Sequence, residues 1–206
     1  MLKDMMYSSQ RAQAIQKKDV AYLSAGIHDN ILLDSYRTET SVAGNTFIEL
    51  KFVKDGQSVL VTEWEPSKGP NTNDADFNNK CDNQFKRIDQ ILSCFYPDDK
   101  DREFEGENFK DLVTWVINKL DNADKSILLR IKVVYNDKGY TTLPKYAKYT
   151  FIEPMSKVNE GKSVIVKLGI DQFDKPVIAD KEKADPNPLM QVDNISINDN
   201  PNGLPF

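Results

Sequence analysis

Apolar and polar positions follow two rhythms along the chain, and the switches between them set the predicted architecture. In NTFIELKFV (45–53), Ile48, Leu50 and Phe52 share one phase while Glu49 and Lys51 hold the other. This period-2 alternation predicts a strand buried on one face. The β-branched and aromatic run ILLDSYRTETS, beginning at Ile31, predicts a strand before it, and SVLVTEW (58–64) predicts one after it. AGN (43–45) and KDGQ (54–57) are turn signals. The Asp-Gly pair supplies the positive φ that a tight hairpin requires. Three strands with short turns make an antiparallel meander.

EPSKGPNTNDADFNN (65–79) breaks the pattern with prolines, glycine and turn formers, and predicts a loop that is long for a compact domain. The rhythm then turns helical. Phe85, Ile88, Ile91, Leu92 and Phe95 form one stripe, ended by Pro97. Phe109, Leu112, Val113, Val116, Ile117 and Leu120 form another. Both stripes suit docking on a sheet. Strands resume at SILLRIKVVY (126–135), with Ile127, Leu129, Ile131 and Val133 predicted inward and Arg130 and Lys132 outward. NDKG (136–139) is a turn. YTTLPKYAK leads into KYTFIEP, and KSVIVKLGI (162–170) predicts the last strand. Residues 7–24 are helix formers with few apolar anchors, and predict a peripheral helix within 1–25.

Three meandering strands, helix, then further strands is the order of an OB-fold. The expected fold is mainly β with inserted helices: an OB-fold-like antiparallel five-stranded barrel over 26–180, with a helical insertion at 79–122. From 181 to 206 the texture changes again. KEKADPNPLMQVDNISINDNPNGLPF holds four prolines and five asparagines, and its one aromatic is the final residue. Such a segment cannot bury enough apolar area to offset its chain entropy, so a disordered acidic tail is expected.

Composition narrows the function classes. The 206 residues carry a net charge of −5, which excludes a uniformly basic DNA coat but not a basic patch. No apolar run reaches the roughly 18 residues of a membrane span, and the N-terminal stretch lacks a signal-peptide core. A soluble, cytoplasmic protein is expected. His28 is the single histidine, and Cys81 and Cys94 are too few for a disulfide framework. DDKDREFEGE starts like a calcium loop but has Phe104 at the glycine position and Lys110 at the last ligand. Phosphate-cradling glycine motifs are absent. No cofactor or metal is expected.

The most nucleic-acid-like stretch lies between Lys125 and Tyr149. Lys125, Arg130, Lys132, Lys138, Lys145 and Lys148 face one acid, Asp137, and are interleaved with Tyr135, Tyr140, Tyr146 and Tyr149. Cations follow a phosphate backbone and aromatic faces stack on bases, each worth about 1–3 kcal/mol. In an OB-fold this stretch is the loop between the last two strands, where single strands are often gripped. Trp64 closes the third strand as a further stacking platform, and Lys51 is an outward cation on the second. Trp115 lies off its helix's stripe, and packing is the expected role.

The chain ends NDNPNGLPF. With the barrel, the linker-like tail and this tip, it resembles the bacterial and bacteriophage single-stranded-DNA-binding proteins. The resemblance implies single-stranded-DNA binding in replication or recombination, without catalysis. It also implies a chain end that docks replication or recombination proteins. Leu204, Pro205 and Phe206 match the family's tip, and Asp199 stands for its acidic part. Where that tip is a dense run of aspartates, this one has Asn198, Asn200 and Asn202.

Two rival readings follow from other residues. Asp34 and Glu49-Leu50-Lys51 on neighbouring strands are the order of a PD-(D/E)xK nuclease, in which carboxylates hold Mg²⁺. Leu33 stands where that family has proline. The acidic total charge equally suits a structural or adaptor protein whose β-domain docks protein.

Overall fold

The computed structural model of the chain describes residues 21–42 and 44–177. They form strands β1 (Ala21–Tyr22), β2 (Gly26–Thr40), β3 (Thr46–Lys54), β4 (Gln57–Trp64), β5 (Leu129–Tyr135), β6 (Thr141–Thr142) and β7 (Ile152–Pro154). The helices are α1 (Asp74–Leu92), α2 (Phe109–Asp121) and α3 (Met155–Asn159), with a 3₁₀ turn at Asp99–Arg102.

The β3–β4 hairpin forms where alternation is strictest. Asp55 (φ 48°) and Gly56 (φ 79°) both take positive φ, as a two-residue hairpin turn demands. Phe52 then pairs with Val59, and Leu50 with Val61. These inward side chains are at most 3% exposed.

β2 is fifteen residues long and serves two partners. Its first part pairs with β5, Gly26 opposite Val133 and Ile31 opposite Leu129. Its second part pairs with β3, from Leu32–Val53 to Thr40–Thr46. Irregularities between His28 and Ile31 and between Leu33 and Ser35 bend the strand from one ladder to the other. Asn30 at the bend has φ 59°, a left-handed conformation that asparagine tolerates better than most residues. The extra residue near Asp34 resets the phase, so Leu33 packs inward before it and Tyr36 packs against the core after it.

The sheet order is β1-β4-β3-β2-β5-β6, with β7 also on β5. β6 comes back beside β4 and nearly closes a mainly β barrel. Four of the five expected strands form; β1, which pairs with β4 in parallel, and the short β6 and β7, both on β5, bring the number among the described residues to seven. The peripheral helix expected over 1–25 lies outside the described residues up to residue 20, and Ala21–Tyr22 are strand. The tail at 181–206 lies wholly outside them.

The predicted strand at 162–170 does not form. Residues 162–168 carry no ladder. The N–H of Val164 donates to Glu153 (3.2 Å) and that of Leu168 to Asp171 (2.7 Å), so side-chain carboxylates take the place of a partner strand. Ile165 alone of its apolar run is buried.

α1 starts at Asp74, earlier than the loop prediction allowed. Asn73 caps it by accepting from the Asp76 N–H (2.8 Å), and Asp74 and Asp76 lie in the first turn, where the free N–H groups favour anions. Asn108 caps α2 the same way. Ile88, Ile91 and Leu92 of α1 and Leu112, Val116 and Leu120 of α2 join Leu50, Phe52 and Ile131 in one core. The predicted stripes therefore cover the barrel. Among the described residues no helix is long and apolar enough to cross a membrane.

Candidate nucleic-acid interface

The expected interface divides into residues bound into the frame and residues facing water. Lys132 belongs to the frame, which corrects its predicted outward position. β5 is buried on both faces, and the Lys132 side chain is 1% exposed. Its Nζ lies 2.7 Å from Asp171 and donates to the Tyr146 hydroxyl at 2.9 Å. Tyr146 in turn donates to Asp171 at 3.0 Å, closing a triangle. Burial alone would raise the Asp171 carboxyl. Lys132, the Leu168 N–H and Tyr146 outweigh it and hold the group below the ordinary value. Burial and the neighbouring Asp171 push the Tyr146 phenol well above its usual range.

Arg130 is also committed. It grips Asp29 with two nitrogens, at 2.5 and 2.9 Å, and reaches Ser163 at 2.9 Å. Ser163 donates to Glu153, which is 1% exposed. Lys145 donates to the Thr62 carbonyl at 2.8 Å and pairs with Glu63 at 3.1 Å. Glu63 occupies the inward phase of Val59 and Val61. It is held there by Arg87 through both carboxylate oxygens (2.9 and 2.8 Å) and by Gln84 (3.1 Å). Burial acts to raise its pKa, but Arg87, Lys145 and Gln84 bring it below the ordinary value.

Gln84, Arg87 and Gln90 recur every three residues along α1 and form a comb. Arg87 donates to the Lys145 carbonyl (3.1 Å), and Gln90 to those of Ala147 (3.1 Å) and Tyr149 (3.4 Å). The comb straps the 143–151 segment to the helix. Glu63, Asp171 and Gln90 were not singled out from sequence. Only Glu63 carried a signal there, as a carboxylate on the apolar phase of a strand.

A second set of residues remains at the surface. Lys138 sits on the turn between β5 and β6, exposed and without an ion pair among the described residues. Asn136 braces that turn by accepting from the N–H groups of Lys138 and Tyr140, both at 3.0 Å. Tyr140 is 69% exposed. Tyr149 packs edge-on against Tyr146, ring centroids 5.6 Å apart, and Lys148 lies over its ring at 5.6 Å. Tyr135 is half-buried at the end of β5. Trp64 is about half exposed and rests on Phe47 at 4.6 Å. Lys51 is half-buried, in the outward phase of β3, and pairs with Asp34 at 3.0 Å. Asp199, Leu204, Pro205 and Phe206 lie outside the described residues.

The carboxylates of the nuclease reading are held apart in their pairing. Asp34 bonds to Lys51, whereas Glu49 accepts from Arg37 (2.8 Å) and Thr62 (3.2 Å). Among the described residues no group of three or more His, Cys, Asp and Glu is arranged to hold a metal ion. His28 lies within β2 and contacts the Ser24 carbonyl at 2.8 Å. Burial pushes the Cys94 thiol up to about 12. Trp115 packs against Phe104 at 5.0 Å and Phe85 at 6.0 Å. Comparison with protein-family models, curated proteins and solved structures returns no match.

Proposed function

We propose that the barrel binds single-stranded DNA through the water-facing set: Lys138 and Tyr140, Lys148 and Tyr149, with Trp64 and Lys51 as outlying contacts. Arg130, Lys132, Lys145 and Tyr146 shape the frame that presents them. The observation that carries this reading is the exposure of Tyr140, 69%, on a turn braced by Asn136. A large aromatic face open to water, on a braced turn that also carries Lys138, is a platform on which any base can stack. The barrel supports the reading by analogy alone, since one fold hosts many functions. The reading is non-catalytic and places the protein in the cytoplasm, where replication exposes single strands. Leu204, Pro205 and Phe206, with Asp199, would dock replication or recombination proteins at the chain end.

Binding rests on stacking more than on charge, because three of the cations between Lys125 and Tyr149 are paired with carboxylates. Anisotropy of a labelled oligo-dT, titrated with salt, tests this. Tyr140→Ala should weaken binding by about 1–3 kcal/mol at unchanged salt slope. Lys138→Ala with Lys148→Ala should flatten the slope by roughly 0.7 per lost contact. No shift with long single strands, or an equal shift with duplex, would sink the reading.

A further inference from the structure

A cavity of about 580 Å³ opens between α1, the start of α2 and the 104–109 segment, on the helical insertion. Ligand pockets commonly span about 300–1,000 Å³. Its apolar wall comes from Phe77, Phe85, Phe104 and Phe109. The wall is pre-built, because Phe104 lies 6.0 Å from Phe85 and 5.0 Å from Trp115, ring to ring. Gly106 makes room for it: a Cβ there would fall 2.3 Å from the Phe104 ring.

The opening is charged with one sign. Glu65 follows β4, Asp82 lies on α1, and Glu105 and Glu107 flank Gly106. All four are exposed, and none makes an ion pair among the described residues. Among the described residues no lysine, arginine or histidine lines the cavity. Elsewhere the carboxylates of Asp29, Glu49, Glu63, Asp89 and Asp171 are paired with bases.

We infer that this cavity docks a protein segment in which an apolar anchor is flanked by lysine or arginine. The aromatic wall takes the anchor, and cationic flanks meet the carboxylates and the ring faces. A peptide fits better than a small amine because the acids stand on three separate segments around the opening. One ammonium cannot answer all of them, whereas basic residues spaced along a chain can. Nucleic acid is repelled by the same four charges, so the site is independent of the proposed DNA interface.

The test uses the full chain and a fluorescein-labelled peptide, Lys-Leu-Phe-Lys-Arg-Leu, read by anisotropy. Binding is expected, and the same peptide with glutamate for each base should not bind. The triple variant Asp82→Asn, Glu105→Gln, Glu107→Gln changes only exposed side chains and should lose at least about tenfold in affinity. Gly106→Ala keeps every charge but displaces Phe104, and should lose a comparable factor. Its circular dichroism spectrum should match the parent's, and failing that, Phe77→Ser serves as the wall variant. Excess oligo-dT should leave peptide binding unchanged. The inference is overturned if the peptide does not bind at millimolar concentration, or if the triple variant binds it as well as the parent. It is also overturned if both wall variants retain full affinity, since bare attraction to an acidic protein would then suffice. Equal affinity for benzyltrimethylammonium would overturn the choice of a peptide.

Discussion

A lysine buried in a β-barrel persists only if its charge is answered, and Lys132 is answered by Asp171 and Tyr146 together. Asp171 takes up a proton less readily in the folded barrel than in the unfolded chain. Acid therefore favours unfolding at this position. The loss begins as pH falls through the ordinary aspartate value of 3.8 and is complete below the folded value. Glu63 contributes with the same sign, from its ordinary 4.5 downward. Asp171→Asn should flatten the acid limb of a plot of melting temperature against pH. At neutral pH the variant should lose about 3–5 kcal/mol, because Lys132 is left as a buried, unpaired charge. A variant as stable as the parent at pH 7 would show that the triangle does not hold the barrel.

At the scale of elements, the strap between α1 and the 143–151 segment makes a ranking. Arg87→Ala strips the buried Glu63 of its two-pronged partner and should cost about 3 kcal/mol or more. Lys145 is half exposed and shares Glu63 with Arg87, so Lys145→Ala should cost about 0–1 kcal/mol. Urea denaturation of both variants checks the order, and a reversed order would mean that the segment, not the helix, secures Glu63. The elements legible in sequence were those with one face in the core. Ile48, Leu50 and Phe52 had to alternate, and Ile88, Ile91 and Leu92 had to recur helically, because the other face meets water. Lys132 misled because β5 is covered on both faces, and alternation says nothing about a lysine paid for by a distant carboxylate. KSVIVKLGI read as a strand because its composition is that of one, but Glu153 and Asp171 take the N–H groups of Val164 and Leu168, and among the described residues no partner strand pairs with it. The interface was legible as a stretch and not as a surface. Sequence showed six cations and four tyrosines together, but which of them were already paired depended on Asp29, Glu63 and Asp171, remote along the chain.

For the whole molecule, the sequence-based reading of the tail gives a separate expectation. Removing residues 185–206 should leave the melting temperature unchanged, because the segment has little apolar surface to bury. Under the proposed function, this anionic segment competes with DNA for Lys138 and Lys148 at high effective concentration, so truncation should keep or modestly raise oligo-dT affinity, most clearly at low salt. On the same proposal, deleting Phe206 alone should abolish capture of a replication partner while oligo-dT affinity is unchanged. A truncation that unfolds the protein would make the tail part of the body.

The double allegiance of β2 has a kinetic consequence. Its pairing with β3 joins neighbours in sequence, while its pairing with β5 joins Gly26 to Val133 across the entire helical insertion. Closing so long a loop costs entropy before any contact rewards it, so the meander should be organised in the folding transition state and the β2–β5 seam should not. Gly56→Ala, at φ 79°, strains the meander's turn and should slow refolding. Asp29→Asn removes the clamp with Arg130 on the seam, and should speed unfolding while leaving the refolding rate nearly unchanged. Stopped-flow chevrons of the two variants measure both limbs, and a refolding rate that falls with Asp29→Asn would put barrel closure inside the nucleus.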